Sequence, residues 1–194
     1  MTGNDIIAEA RLNFGEPTAL TLTDTDFQKW VNTALFELYE LLNLSELEVL
    51  AETSTVTLTD GKGPLPADLD HMLSVQVANT PVHILGMDAP SVIDQNPYMA
   101  PYVFIGTTDG ETLWIRGVTE PATADVTYIA PPDRITDFDQ TVVLPKWHPV
   151  IVLFTTAFAY AQEEDKGQAQ HYRNEALALI NRTYTAPEQE ALQQ

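Results

Sequence analysis

The chain has 194 residues, enough to bury a hydrophobic core, and no cysteine, which excludes disulfides and thiolate zinc sites. Its 28 acidic and 9 basic residues give a net charge of −19, which repels polyanions and disfavours nucleic-acid binding. No basic signal region opens the chain, and no apolar run approaches the roughly 18 residues of a membrane span. We therefore expect a soluble protein of the cytosol.

The first part of the sequence predicts helices. Asn4 can cap a short helix that Gly15 ends. A stronger helix is predicted over residues 24–42, with acidic residues in its first turn and one wide apolar stripe. The stripe comprises Phe27, Trp30, Val31, Ala34, Leu38, Leu41 and Leu42. Ser45 then caps a further turn or two that last through Ala51.

From residue 53 the hydrophobic period changes to two, which predicts a strand that ends at a turn over 60–63. Two prolines within 64–69 forbid regular pairing there. Residues 86–101 have room for at most one helical turn, around 91–95. Further single strands are predicted at 72–78, 81–85 and 125–130.

The clearest local signal is a β-hairpin. Asp109-Gly110 separates two β-prone runs, 102–108 and 111–116. Asp-Gly favours a tight primed turn, because both central residues need positive φ. An acidic connector, 133–143, follows the last strand.

The last third is predicted to be helical again. Residues 150–162 form an apolar, alanine-bearing helix, and 167–184 form a second helix that pairs with it as an antiparallel hairpin. The aromatic residues Trp147, Phe154 and Phe158 keep helical spacing, which favours packing in a core over a ligand site. Residues 185–194 are polar and lack an apolar face, which predicts a free tail.

These elements predict an α+β fold: a helical bundle built from the N- and C-terminal helices with a central antiparallel β insertion. We expect a single domain over residues 1–184, followed by the tail. Its predicted parts are helices within 4–51, a β-rich insertion over 53–131, a connector over 132–145 and a helical hairpin over 146–184.

Candidate catalytic groups are sparse. Ser74 and Ser91 have no nearby base, and the turn around Lys62 lacks the Ser or Thr that follows the lysine of a phosphate-binding loop. The four histidines have no paired metal-ligand spacing: they are His71, His83, His148 and His171. We predict no catalytic residue, no metal site, no cofactor and no enzymatic activity.

Two alternatives stay open at this point. A metal-dependent hydrolase could assemble a site from Asp133, Asp137, Asp139 and His148, although the aspartate loop lacks the glycine and closing glutamate of a calcium loop. A protein-binding module could instead use an edge of the hairpin 102–116 to add a strand to a partner.

A series of landmarks runs along nearly the whole chain: Ala10-Arg11, Trp30-Val31-Asn32-Thr33-Ala34, Leu65-Pro66-Ala67-Asp68, residues 102–106, Leu113-Trp114-Ile115, Tyr128-Ile129-Ala130-Pro131-Pro132, Leu144-Pro145 and Ala157-Phe158-Ala159-Tyr160-Ala161. Their order resembles that of the head-to-tail adaptor proteins of tailed bacteriophages.

The resemblance implies a structural protein of the virion neck, present in the host cytoplasm during assembly. Identical subunits would form a ring of twelve beneath the portal protein, join the DNA-filled head to a downstream tail or neck protein, and leave a channel for DNA. The negative charge would let DNA pass without specific binding. A neck-closure or tail-completion protein one layer below is the alternative within this class.

The resemblance also implies that a terminal segment orders on the portal. The matching stretch is 184–194, in which Tyr184, Pro187 and Leu192 are the expected portal-binding anchors. The alternative is a frayed end without a role.

Overall fold

The computed structural model describes residues 1–16, 21–85, 104–108, 111–118 and 121–191, with no account of the side chains of 84, 85, 104–107 and 184–191. The helical turn predicted at 91–95, the Asp109-Gly110 turn and Leu192 lie outside the described residues. The chain forms two compact units, a helical unit (Met1–Glu46 with Pro132–Gln194) and a strand unit (Leu47–Pro131). A single domain over 1–184 stays a prediction.

The described elements confirm the α+β class. The α-helices are α1 (Gly3–Phe14), α2 (Asp24–Leu41), α3 (Leu44–Leu47), α4 (His148–Gln162) and α5 (Lys166–Ala191), with short 3-10 turns at Glu48–Leu50 and Pro145–Trp147. The strands are β1 (Ala51–Leu58), β2 (Lys62–Pro64), β3 (His71–Val77), β4 (Thr80–Leu85), β5 (Phe104–Thr108), β6 (Thr112–Ile115) and β7 (Ala122–Ile129).

Side-chain caps set where α1 and α2 begin. Thr2 and Asp5 form a capping box at α1, and Thr23 and Asp26 form another at α2. The prediction that Asn4 caps α1 is wrong, because its side-chain amide instead donates to Asp139 Oδ1 at 2.8 Å. In each box the hydrogen bonds from threonine lower the pKa of the aspartate.

The turn after α2 also has a different cap from the one predicted. Asn43 Oδ1 accepts from the Glu46 backbone N–H at 3.2 Å and from the Ser45 hydroxyl at 2.7 Å. Ser45 therefore donates to the cap and does not act as the cap itself. Asparagine at this position satisfies a backbone donor that the start of a helix leaves open.

Helix α4 is the centre of the helical unit, packing against α1, α2 and α5. It is buried on almost every side, which explains why its sequence is apolar all round and not striped. Trp147 and Phe154 are fully buried, as predicted for core residues. Tyr160 stacks on Tyr172 of α5, with ring centroids 5.5 Å apart, and donates to the Asn13 carbonyl of α1 at 3.3 Å.

The predicted pairing of the two C-terminal helices is confirmed, but the second helix ends later than expected. Helix α5 continues to Ala191, whereas the sequence predicted an end at Tyr184. Polar composition suggested a tail, yet alanine, glutamate and glutamine are strong helix formers, and they outnumber the single Pro187 in this stretch.

The seven strands form one sheet in the order β1-β7-β3-β4-β5-β6-β2. Pairing is antiparallel except between β4 and β5, which run parallel. The alternation of polar and apolar residues in β1 predicted one solvent-exposed face and one buried face. Val56 and Leu58 are buried, as this pattern predicts. Ala78 and Asn79 both have positive φ and form the tight turn between β3 and β4, one residue earlier than predicted.

The first and last strands of this order, β1 and β2, are neighbours in sequence. Thr59 and Lys62 exchange two backbone hydrogen bonds, of 2.8 and 3.0 Å, across the turn that joins them. The predicted break at the prolines therefore begins one residue too early, because Pro64 ends the short strand β2. That position suits proline, which lacks the N–H that an interior strand would need.

Candidate assembly surfaces

Three of the four residues of the hypothetical hydrolase site have structural roles. His148 is buried, and its Nε2 lies 2.9 Å from the Val142 carbonyl oxygen. Asp137 Oδ1 accepts from the Asp139 backbone N–H at 3.0 Å, and Asp139 accepts from Asn4. Within the described part of the chain, no three His, Cys, Asp or Glu side chains are grouped so that they could hold a metal ion. The hydrolase hypothesis thus has no assembled site there.

The remaining histidines lie on three different elements, β3, β4 and α5. His71 Nδ1 lies 3.0 Å from Asp70 Oδ2, and His171 Nε2 lies 3.6 Å from Glu175 Oε1 in the next turn of α5. His83 lies on β4.

The strand-addition hypothesis is wrong for the predicted hairpin. Strand β5 pairs with β4 on one side and β6 on the other, and β6 pairs in turn with β2. Both strands of the hairpin are therefore interior to the sheet. The described residues of β5 and β6 have a neighbouring strand on each side, so this part of the hairpin offers no edge to a partner.

Arg11, one of the sequence landmarks, is buried between α1 and the start of α2. Its Nη2 donates to the Leu22 carbonyl at 2.8 Å and to Asp24 Oδ1 at 2.7 Å. The guanidinium carbon lies 4.4 Å from the centroid of the Phe27 ring. Only 4% of the side chain is exposed, so Arg11 fixes the entry to α2 and is not available to a partner.

Glu16 lies next to this cluster. Its Oε1 accepts from the Thr21 hydroxyl at 2.6 Å, and this hydrogen bond, with a smaller contribution from Arg11, lowers the pKa of the Glu16 carboxyl. Glu16 Oε2 and Arg11 Nη1 are 3.9 Å apart, and neither makes a hydrogen bond in the described structure.

Asn32, a second landmark, ties the acidic connector to α2. Its side chain accepts from the Ile135 N–H at 2.7 Å and donates to the Ile135 carbonyl at 3.0 Å, as a neighbouring strand would. Gln28 donates to the same carbonyl at 3.2 Å. The backbone next to Arg134 is therefore held in one position.

An open groove of about 540 Å³ lies beside this tie. Its lining includes Lys29, Asn32, Phe36, Glu37, Glu40 and Arg134. The Arg134 guanidinium carbon lies 6.0 Å from the Phe36 ring centroid. Glu37 is engaged by Arg173 of α5, with one hydrogen bond of 3.2 Å. We call this feature the α2 groove.

Several basic side chains pair with carboxylates of the same chain. Among the described residues these include Arg11, Lys29, Lys146 and Arg173. Lys146, for example, donates to both oxygens of Glu46, at 2.7 and 2.9 Å. A chain arranged in this way has few cations left to neutralise phosphates.

The end of α5 extends past its partner helix. Helix α5 has 26 residues and α4 has 15, so α5 is longer by roughly 16 Å at 1.5 Å per residue. Ile180 is the last buried residue of α5 among those whose side chains are described. The backbone that carries Tyr184 and Pro187 thus continues as helix to Ala191.

The profile of the SU10 adaptor protein family matches residues 1–192. The chain belongs to the SU10 adaptor protein family. This membership confirms the resemblance drawn from the landmark order and makes the chain a phage adaptor protein, with a structural role. No curated protein matches the sequence.

Among the described residues of this SU10 adaptor family member, no helix is both long enough and apolar enough to cross a bilayer.

Proposed function

We propose that the chain is a head-to-tail adaptor that forms a ring of twelve copies beneath the portal of a tailed phage. The ring would join the head to a downstream tail or neck protein and enclose a channel for DNA. The observation that carries this proposal is the match of the adaptor family over residues 1–192. Its location would be the neck of the virion.

The charge of the chain supports a channel role. A net charge of −19 repels phosphates, and Lys146 and Arg173 are each paired with a glutamate of the same chain. DNA moving through a ring of such subunits would meet a repulsive wall and would not pause at binding sites.

The C-terminal segment 184–194 is the proposed portal-docking element, with Tyr184, Pro187 and Leu192 as anchors. Helix α5 carries the first two of these near its C-terminal end. An amphipathic helix or an ordered peptide can bind a groove on a partner through a few spaced apolar side chains. An extension that is already helical would lose less entropy on binding than a disordered tail.

The test is assembly on the portal protein of the same phage, measured by native mass spectrometry. We expect about twelve chains per portal ring, as the resemblance implies, and a loss of binding when the chain ends after residue 183 or carries Y184A/P187A/L192A. A matched control, L12A/L44A/V143A, removes three apolar side chains that are exposed elsewhere in the helical unit. We expect this control to bind normally.

Two results would contradict the proposal in different ways. Normal binding by Y184A/P187A/L192A would show that the segment 184–194 does not dock on the portal, and it would leave the adaptor role intact. If the chain does not bind the portal alone and binds only a portal that already carries another protein, it would be a neck-closure or tail-completion protein one layer below the adaptor.

A further inference from the structure

A ring of identical subunits, each with a net charge of −19, has to overcome repulsion between neighbours. The few basic side chains that stay exposed are therefore the groups best able to mark where one copy contacts the next. Lys146 and Arg173 are paired with glutamates of their own chain, and Arg11 is buried. Lys29 and Arg134 differ, because they are the two cations that line the α2 groove.

Arg134 is well placed for an external partner. Within the described part of the chain its guanidinium carbon lies 6.0 Å from the Phe36 ring centroid, and no carboxylate there pairs with it. Asn32 holds both backbone groups of the adjacent Ile135. Lys29 is 69% exposed and lies 3.4 Å from Asp26, a distance typical of a weak surface pair.

The matching acidic surface is the turn between α4 and α5. Glu163 and Glu164 are exposed neighbours, and among the described residues neither side chain has a hydrogen-bond or ion-pair partner. Other carboxylates, such as Asp24, Glu37 and Glu46, are already engaged. Glu164 has a positive φ, and the side chain of the next residue, Asp165, accepts from the Gln168 backbone N–H at 3.0 Å. The turn is thus a projecting acidic tip that is fixed to the start of α5.

We propose that the α2 groove of one copy receives the Glu163–Glu164 tip of the next copy in the ring. The groove and the tip share no residues, so each subunit can use both at once. A contact between two different surfaces runs head to tail and closes into a ring when the rotation is right. This inference rests on the proposed ring and names the residues that join its subunits.

The experiment uses full-length chains assembling on the portal, with native mass spectrometry to count copies. The groove variant is K29E/R134E, and the tip variant is E163R/E164R. We expect the concentration needed for half assembly to rise by at least about tenfold, because each variant places like charges opposite one another at the contact. Matched charge reversals away from the contact, K62E/R116E and E9R/E48R, should assemble normally.

The deciding step is to mix the two defective variants in equal amounts. Each groove variant keeps a normal tip, and each tip variant keeps a normal groove. In a ring in which the two variants alternate, half of the contacts join a normal groove to a normal tip. The other half join a reversed groove to a reversed tip, so opposite charges meet at every contact. We expect the mixture, and a chain carrying all four changes, to regain assembly within about threefold of the wild type. Circular dichroism melting checks that every variant is folded.

The outcomes separate the two proposals. If the wild type does not bind the portal, the proposed function fails and this contact fails with it. If the wild type forms a ring and the variants do so equally well, or if the mixture stays defective, the contact alone is wrong. A groove variant that loses binding of a single copy to the portal would show that the groove faces the portal and would also overturn the contact.

Discussion

Buried polar side chains hold the segments between helices of the helical unit in place. Arg11 bonds the Leu22 carbonyl and Asp24 and covers the Phe27 ring, so one side chain satisfies a carbonyl, pairs a carboxylate and fills space. Arginine suits this task because its planar group donates in several directions and stacks on aromatic faces. Loss of such a group leaves its partners without donors.

We expect Arg11→Met to lower the free energy of unfolding by about 2 kcal/mol, because the Leu22 carbonyl loses a buried donor while the apolar stem keeps its packing. Arg173→Met is the matched control. It removes a more exposed pair with Glu37 and should cost less than about 1 kcal/mol. Urea unfolding followed by circular dichroism measures both, and equal losses would refute the role given to Arg11.

The roles of these side chains could not be predicted from the sequence. Arg11 was recognised as a landmark, but its partners lie beyond a loop, and Asn32 contacts Ile135 across 103 residues of chain. A mid-helix asparagine facing a distant backbone leaves no local pattern. The α2 groove escaped prediction for the same reason, since it forms only when α2 and the connector meet.

Helices and strands were easier to predict than their ends. Helix α2 ends within one residue of its prediction, because its apolar stripe gives a long periodic signal. Its start and that of α1 depend on single threonines. The parallel pairing of β4 with β5 had no signal, because the segment between those strands carries no clear pattern of its own.

Strand β2 shows how closely this sheet brings its strands together. A Cβ added to Gly63 would lie 2.5 Å from Val56 Cγ1 and 2.6 Å from the Thr57 carbonyl oxygen. The backbone atom cannot move away without breaking β1, so the close approach of β2 to β1 depends on glycine at this position.

We expect Gly63→Ala to destabilise the protein by about 3 kcal/mol, since the new methyl overfills the space between two strands. Gly117→Ala serves as a comparison. Gly117 has a φ of +86° and nothing within 4 Å of an added Cβ, so its substitution costs only backbone strain, about 1 kcal/mol. Thermal unfolding of the two variants tests the difference, and a smaller effect at Gly63 would contradict the packing argument.

The complete chain combines a strongly acidic surface with internally engaged cations. These two features have a common consequence. Carboxylates that pair with Arg173 or Lys146 also remove those charges from any phosphate, and the remaining acids repel it. Family membership assigns an adaptor role. In the proposed ring, this charge distribution would let DNA pass without being retained.

We therefore expect no binding of a 30-base-pair duplex, even at about 20 mM salt, where non-specific attraction is strongest. Basic proteins bind DNA non-specifically with dissociation constants of roughly 10⁻⁴ to 10⁻⁶ M at physiological salt, so fluorescence anisotropy up to about 0.1 mM chain covers the relevant range. A basic DNA-binding protein provides the positive control. Binding that weakens steeply with added salt would reveal a phosphate site and would refute a channel wall that acts by repulsion. The same measurement on the ring assembled with the portal is the stricter test, because a ring places many copies of any weak site around one duplex.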